Sequence, residues 1–236
     1  MIFHRSRIKK NNYEIKLNNT SVQQVKFTKF LGIIIDNKLN FINHISYVKS
    51  KISKGMGIIL KARKYFNKCV LINLYNTFIF PYLIYCLEIW GNAFDTHLQP
   101  LMKLQRKIIR IITFSPYMLD AGPLFKELKI LPLKKLVIQR IGLQMHKYSS
   151  KTLPLAIMDL FTTNDSIHNY NTRHKDNIRH PIGKREYMYR NFTFTAVYVW
   201  NHIKNNTNIN CNTPYSKFKH ILRDHLLLHD ITLRLT

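Results

Sequence analysis

Acidic side chains are what this chain lacks most. Twelve Asp and Glu stand against 37 Lys and Arg, a formal net charge of +25 over 236 residues. No Asp-Asp pair and no Asp-x-Asp occurs, so no local carboxylate pair is offered of the kind that holds two metal ions about 4 Å apart. Between Asp36 and Glu88 there is no acid at all, although eight lysines and arginines lie there. Glycine is also scarce, and none of the seven forms a P-loop or a dinucleotide-binding loop. GxSxG and HExxH are missing too, which removes the usual sequence signatures of NTPases, dehydrogenases, serine hydrolases and zinc peptidases. Cys69, Cys86 and Cys211 have no zinc-finger spacing and, being odd in number, give no disulfide framework. They read as reduced core residues of an intracellular protein. Long apolar runs are absent as well. The nearest candidate, VLINLYNTFIFPYLIYCLEIW, is interrupted by Asn73, Asn76, Thr77, Pro81 and Glu88 and falls short of the roughly 18 apolar residues of a membrane span. A buried helix is the better reading, divided or kinked at Pro81. The start, MIFHRSRIKKNN, is too basic for a signal peptide, so the chain is expected inside the cell, in nucleus or cytoplasm, and not secreted.

What is present is enough apolar material for a core, 46% hydrophobic with 12% aromatic residues, and a surface that attracts polyanions. Counterion release from phosphates is the largest source of affinity for nucleic acid. A ribosome-like or membrane-surface partner is the rival. The alternation of basic residues with folded, aromatic-rich segments favours nucleic acid.

Along the chain, MIF, YEIKL, VKF and KFLGIII are short β-prone runs separated by the turn signals KKNN and NNTS. From Asn43 onward Ile45, Val48, Ile52, Met56 and Ile59 recur at spacings of three and four, one face of a helix, with Lys51, Lys54 and Lys61 on the other side. Gly55 and Gly57 weaken that helix and suggest a kink or a close helix contact. A third helix is expected from Pro100, with Leu101, Leu104, Ile108 and Ile111 as core stripe and Lys103, Arg106, Lys107 and Arg110 as basic stripe. Pro132 starts another through Leu136, Val137 and Ile141 to Met145. Residues 149–191 read as polar loop with short elements, and a last helix is expected with Thr213 as N-cap and Pro214 at its first position. The fold class is mostly α with a small N-terminal β-hairpin or sheet remnant (α+β), a helical bundle followed by an irregular basic tail.

Asp36, alone after three isoleucines, reads as turn chemistry that caps the following helix. His168, His174 and His180 recur six apart around NYNTR. Without Cys or acid partners they read as polar histidines of a phosphate-facing loop, and no metal site is assigned. Tyr170, Arg173, Tyr187 and Tyr189 in that region could stack on unpaired bases.

In order, MIFHRSR, IKLNNTSVQQVKFTKFLGIIIDNKLNFINHI, LYNTFIFPYLIYCLEIWGNA and LMKLQRKIIRIIT resemble the part of jockey-like (LINE-type, non-LTR) retrotransposon reverse transcriptases that follows the catalytic palm. PLFKELKILPLKKL, HNYNTRH and VYVWNHI resemble the C-terminal tail of the same polymerases. The resemblance implies an end-of-palm hairpin over residues 1–42, a thumb-like helical bundle over 43–148 and a basic tail with a terminal helix over 149–236. It makes Phe30, Leu31 and Gly32 primer-grip-like, holding a primer's 3′ end. It assigns the basic faces, Lys51, Lys54, Lys61, Lys103, Arg106, Lys107 and Arg110, to RNA or an RNA–DNA duplex, and Arg173 in the polar loop is a further nucleic-acid-binding candidate. The fingers and the paired palm aspartates would precede Met1. On that expectation the chain is a truncated segment that needs the missing palm to polymerise; the full-length enzyme would use Mg, and this chain would hold no cofactor or catalytic residue. The alternative is a non-enzymatic, basic, helical nucleic-acid-binding protein.

Overall fold

The computed structural model describes residues 1, 3, 15–166, 175–182, 186–207, 209–229 and 231. Two small antiparallel pairs come first: β1 (Lys16–Leu17) with β2 (Thr20–Ser21), and β3 (Phe27–Phe30) with β4 (Ile33–Asp36). Helices follow: α1 (Ile42–Ala62), α2 (Lys68–Phe78), α3 (Phe80–Ile84), α4 (Leu87–Trp90), α5 (Asp95–Ile112), α6 (Ala121–Glu127), α7 (Leu133–Ser149), α8 (Leu155–Met158), α9 (Glu186–Tyr189), α10 (Phe192–Asn206) and α11 (Tyr215–Leu228). The protein is thus mostly helical with a small β remnant at its N-terminal side. Among the described residues no helix is long and apolar enough to cross a membrane.

The expected α1 face is the observed one: Ile45, Val48, Ile52 and Ile59 are buried and Met56 packs against them. Gly55 of this helix is a close-approach position, because a Cβ there would lie 3.1 Å from the Phe78 carbonyl oxygen and from Ile79. Gly57 faces open space. The apolar stretch after Asn67 is divided twice, at Ile79 and at Tyr85–Cys86, and Pro81 sits in the first turn of α3, where its missing N–H costs nothing. It is not buried all round: α2 fully buries only Leu71 and Tyr75. For the same reason Cys69, near the start of α2, is exposed rather than a core residue. Cys86 and Cys211 are half-buried, all three are free, and burial raises the pKa of the Cys211 thiol.

Helix α5 starts five residues before the expected Pro100, which lies inside it. Proline there removes only the bond to the carbonyl four residues back, and a first turn opened by Asp95 at the positive end of the helix dipole outweighs the signal that proline gives. Similarly, Pro214 rather than Thr213 is the N-cap of α11; the Thr213 hydroxyl donates back to the Asn210 carbonyl (3.1 Å) instead of capping. Helix α6 has seven residues, too few for its periodicity to register in the sequence.

Helices α1 and α5 run side by side in the same direction. His44 meets Trp90 near their starts (ring centroids 5.5 Å apart) and Arg63 meets Phe114 just past their ends (4.7 Å). Helix α7 takes α10 and α11 against it, and Val197, Trp200, Ile203, Phe218 and Leu222 join the same core as α1 and α5. At the centre lies one buried amide. Gln105 Nε2 donates to the Tyr75 hydroxyl (3.0 Å) and the Leu131 carbonyl (3.1 Å), and its Oε1 accepts from the Leu133 N–H (2.9 Å). Burial pushes the Tyr75 phenol far above its ordinary pKa, so it stays neutral.

Three outcomes are expected. Gln105→Leu leaves one hydroxyl, one carbonyl and one N–H buried without a partner, and should cost about 2–4 kcal/mol in urea unfolding; a loss below about 1 kcal/mol would show that water replaces the amide. Gly57→Ala should stabilise by up to about 1 kcal/mol through helix propensity, whereas Gly55→Leu, forced against α2, should destabilise by about 1–3 kcal/mol.

Candidate nucleic-acid interface

The β3–β4 hairpin is built by its turn. Leu31 and Gly32, the two central residues, both have positive φ (45° and 84°), which matches the twist of a two-residue hairpin. Glycine adopts this freely; leucine does not. Leu31 is held there by Tyr85, whose hydroxyl donates to the Leu31 carbonyl (2.6 Å), while its ring lies where a Gly32 Cβ would come, 3.2 Å away. Phe30 and Leu31 remain exposed, at 61% and 74%.

A closed circuit ties this hairpin to the bundle. The Trp90 indole N–H donates to the Tyr85 carbonyl (2.9 Å), the Trp90 ring meets His44, and His44 Nδ1 accepts from the Ile34 N–H at 3.4 Å. Asp36 closes the loop that follows: its carboxylate accepts from the backbone N–H groups of Lys38 (3.0 Å), Asn40 (3.1 Å) and Phe41 (2.7 Å). The turn reading of Asp36 holds. It organises the approach to α1, and the N-cap position itself belongs to Phe41, which is in the left-handed region.

Lys29 of β3 and Lys51 of α1 both lie over the Tyr47 ring, at 6.0 and 5.5 Å, so hairpin and helix present their cations together. Lys54 and Lys61 are exposed along α1. On α5, Lys103, Arg106 and Lys107 are exposed and form no hydrogen bond, ion pair or ring contact with any described residue. Arg110 departs from that stripe: half-buried, it donates from Nε to the Leu119 carbonyl (2.6 Å) and lies over the Tyr117 ring. Arg173, His168, His174 and Tyr170 fall outside the described residues, as does the Tyr187 side chain. Tyr189 packs edge-on against Phe194 (4.6 Å), so its ring is already engaged.

A cleft of about 940 Å³ opens between Lys38–Phe41, α4, α7 and Arg190–Phe192. Its acid, Glu88, is paired with Arg140 Nε (2.8 Å) and takes a further bond from Gln144 (3.4 Å), and Arg190 covers the Phe94 ring. Among the described residues no three His, Cys, Asp or Glu side chains converge.

Comparison with known proteins gives first a class: about half of the chain is similar to RNA-directed DNA polymerases of mobile elements. More narrowly, it is 28% identical over 120 residues to the RNA-directed DNA polymerase from mobile element jockey of Drosophila melanogaster, and 28% identical over 120 residues to the one from Drosophila funebris. It is 24% identical over 119 residues to the probable RNA-directed DNA polymerase from transposon X-element of Drosophila melanogaster. Each match takes in 49% of this chain and 13% of the relative, so the chain spans only a small part of these polymerases. No family model and no solved structure matches. The jockey-like resemblance of the sequence words is thus met by similarity to the jockey polymerases themselves.

Burial lowers the pKa of His44 and His225, the latter helped by the charges of His229, His202 and Lys135. In each case the folded protein binds the proton less readily than the unfolded chain. The stability this contributes is complete above the ordinary value of 6.5 and is lost as pH falls through the lowered values. The urea midpoint should therefore drop between about pH 7.5 and about pH 5. His44→Phe, which keeps a ring against Trp90, should narrow the difference; a midpoint that does not move on acidification would contradict the burial of neutral histidine.

Proposed function

We propose that this chain is a segment of a non-LTR retrotransposon reverse transcriptase that grips a template–primer duplex. The reading is carried by one observation: Lys103, Arg106 and Lys107 form an exposed cationic face on α5 with no partner among the described residues, and α5 is packed along α1, whose first turns hold the hairpin. Such a face meets phosphates without reading bases. In this assignment residues 1–42 are the end of the palm, with Phe30, Leu31 and Gly32 as a primer-grip-like tip. Residues 43–148 act as the thumb and 149–236 as the tail. Polymerisation belongs to the longer protein, whose palm supplies the carboxylates and Mg; the chain alone binds RNA or an RNA–DNA duplex in nucleus or cytoplasm.

A second reading, a non-enzymatic, basic, helical nucleic-acid-binding protein, uses the same cationic face and leaves the hairpin tip without a role. Under it Leu31→Asp leaves binding to a primer end unchanged; under the first it weakens it.

The test is salt dependence. Replacing Lys103, Arg106 and Lys107 together by Gln should reduce the slope of log K against log salt by roughly two to three units on a blunt RNA–DNA duplex. Arg110 is left in place because its guanidinium already serves the Leu119 carbonyl. An unchanged slope would move the phosphate-binding face off α5.

A further inference from the structure

Just past the parallel ends of α1 and α5, two loops carry large side chains that the core does not use. Tyr65 is 82% exposed, Tyr117 73% and Met118 90%; Phe66 and Phe114 are each about half exposed. One ring contact joins the two loops and a second holds Tyr117. The Arg63 guanidinium lies over the Phe114 ring at 4.7 Å, and the Arg110 guanidinium over Tyr117 at 5.8 Å. Arg110 also fixes the second loop through the Leu119 carbonyl, and the Ser115 N–H closes the end of α5 on the Arg110 carbonyl (3.0 Å). Along these segments stand Lys61, Arg63, Lys64, Lys107 and Arg110, against the single acid Asp120.

Tyr65, and the ring surface of Phe114 and Tyr117 that the two guanidiniums leave exposed, stand in water among cations and suit a partner that is both polyanionic and flat. Unpaired nucleic acid supplies phosphates for the cations and open base faces for the rings, whereas a duplex keeps its base faces stacked inside. A protein surface able to balance five cations would have to be strongly acidic and would gain little from Tyr65 and Tyr117 as stacking planes. We infer that the shelf formed by Tyr65, Phe114, Tyr117 and Met118 binds a single-stranded stretch of nucleic acid through base stacking, beyond the duplex held by α5. The inference rests on the reading of the chain as a nucleic-acid binder and adds to it a second subsite for unpaired bases, adjoining the α5 face and sharing Lys107 with it.

Fluorescence anisotropy on the full chain tests it with two probes, a blunt RNA–DNA duplex and the same duplex carrying a short unpaired oligo(dT) extension. The wild-type chain should bind the extended probe on the order of tenfold more tightly, as expected when one or two bases stack. Tyr65→Ala with Tyr117→Ala should erase that advantage and leave blunt-duplex affinity unchanged. Tyr65→Phe with Tyr117→Phe should retain it, which separates stacking from any loss of fold. Equal wild-type affinity for the two probes, or an advantage that survives the alanine pair, overturns the shelf while the duplex grip stands. Failure of the wild-type chain to bind either probe overturns both.

Discussion

The orientation of α5 depends on one buried amide. Gln105 satisfies a hydroxyl on α2 and two backbone groups at the entrance to α7, and those partners would be left stranded if the helix turned about its axis. Successive residues of an α-helix are about 100° apart. Fixing Gln105 inward therefore sends Lys103 and Lys107, two positions to either side, outward to solvent, with Arg106 flanking them. The exposed cations are thus a consequence of a hydrogen-bonding requirement in the core. A buried polar group is costly when half satisfied, so the same requirement that stabilises the bundle also fixes its charged face.

Charge gives the second constraint. With 37 cations and 12 acids, few attractive pairs are possible; among the described residues Lys68 pairs with Glu127 and Lys134 with Asp95 at the surface, and Arg140 with Glu88 in the cleft. None involves the α5 stripe. Self-repulsion of this size disfavours the compact state, and any polyanion that binds the folded form draws the equilibrium toward it. Binding of a polyanion by these lysines and arginines would therefore be linked to folding.

Much of this was legible in the sequence, for reasons that differ by residue. The three-and-four spacing of Ile45, Val48, Ile52 and Ile59 placed α1 because a long amphipathic helix repeats its signal over several turns. Asp36 was legible as a turn residue because an isolated acid between a β run and a helix has few other uses. Its three backbone partners were not, since they depend on how the loop folds back. Pro100 misled because proline favours a helix's first turn yet is tolerated further in at the loss of one bond. Arg110 looked equivalent to Arg106 in the periodic pattern; only the return of the Thr113–Asp120 loop gives it a carbonyl to serve. Gln105 gave no signal at all, being one polar residue among several on a basic helix, and the aromatic shelf was missed because its two loops are far apart in the chain.

The circuit through Leu31, Tyr85, Trp90, His44 and Ile34 gives the hairpin a mechanical character. Its tip is tied across 54 residues of sequence by one hydroxyl, and its far strand rests on a ring packed against Trp90. A strand of nucleic acid pressing on Phe30 and Leu31 would not bend a free loop. It would load a short lever whose fulcrum is the Trp90–His44 contact, and the displacement would be felt at the first turn of α1 and at α4 beside it.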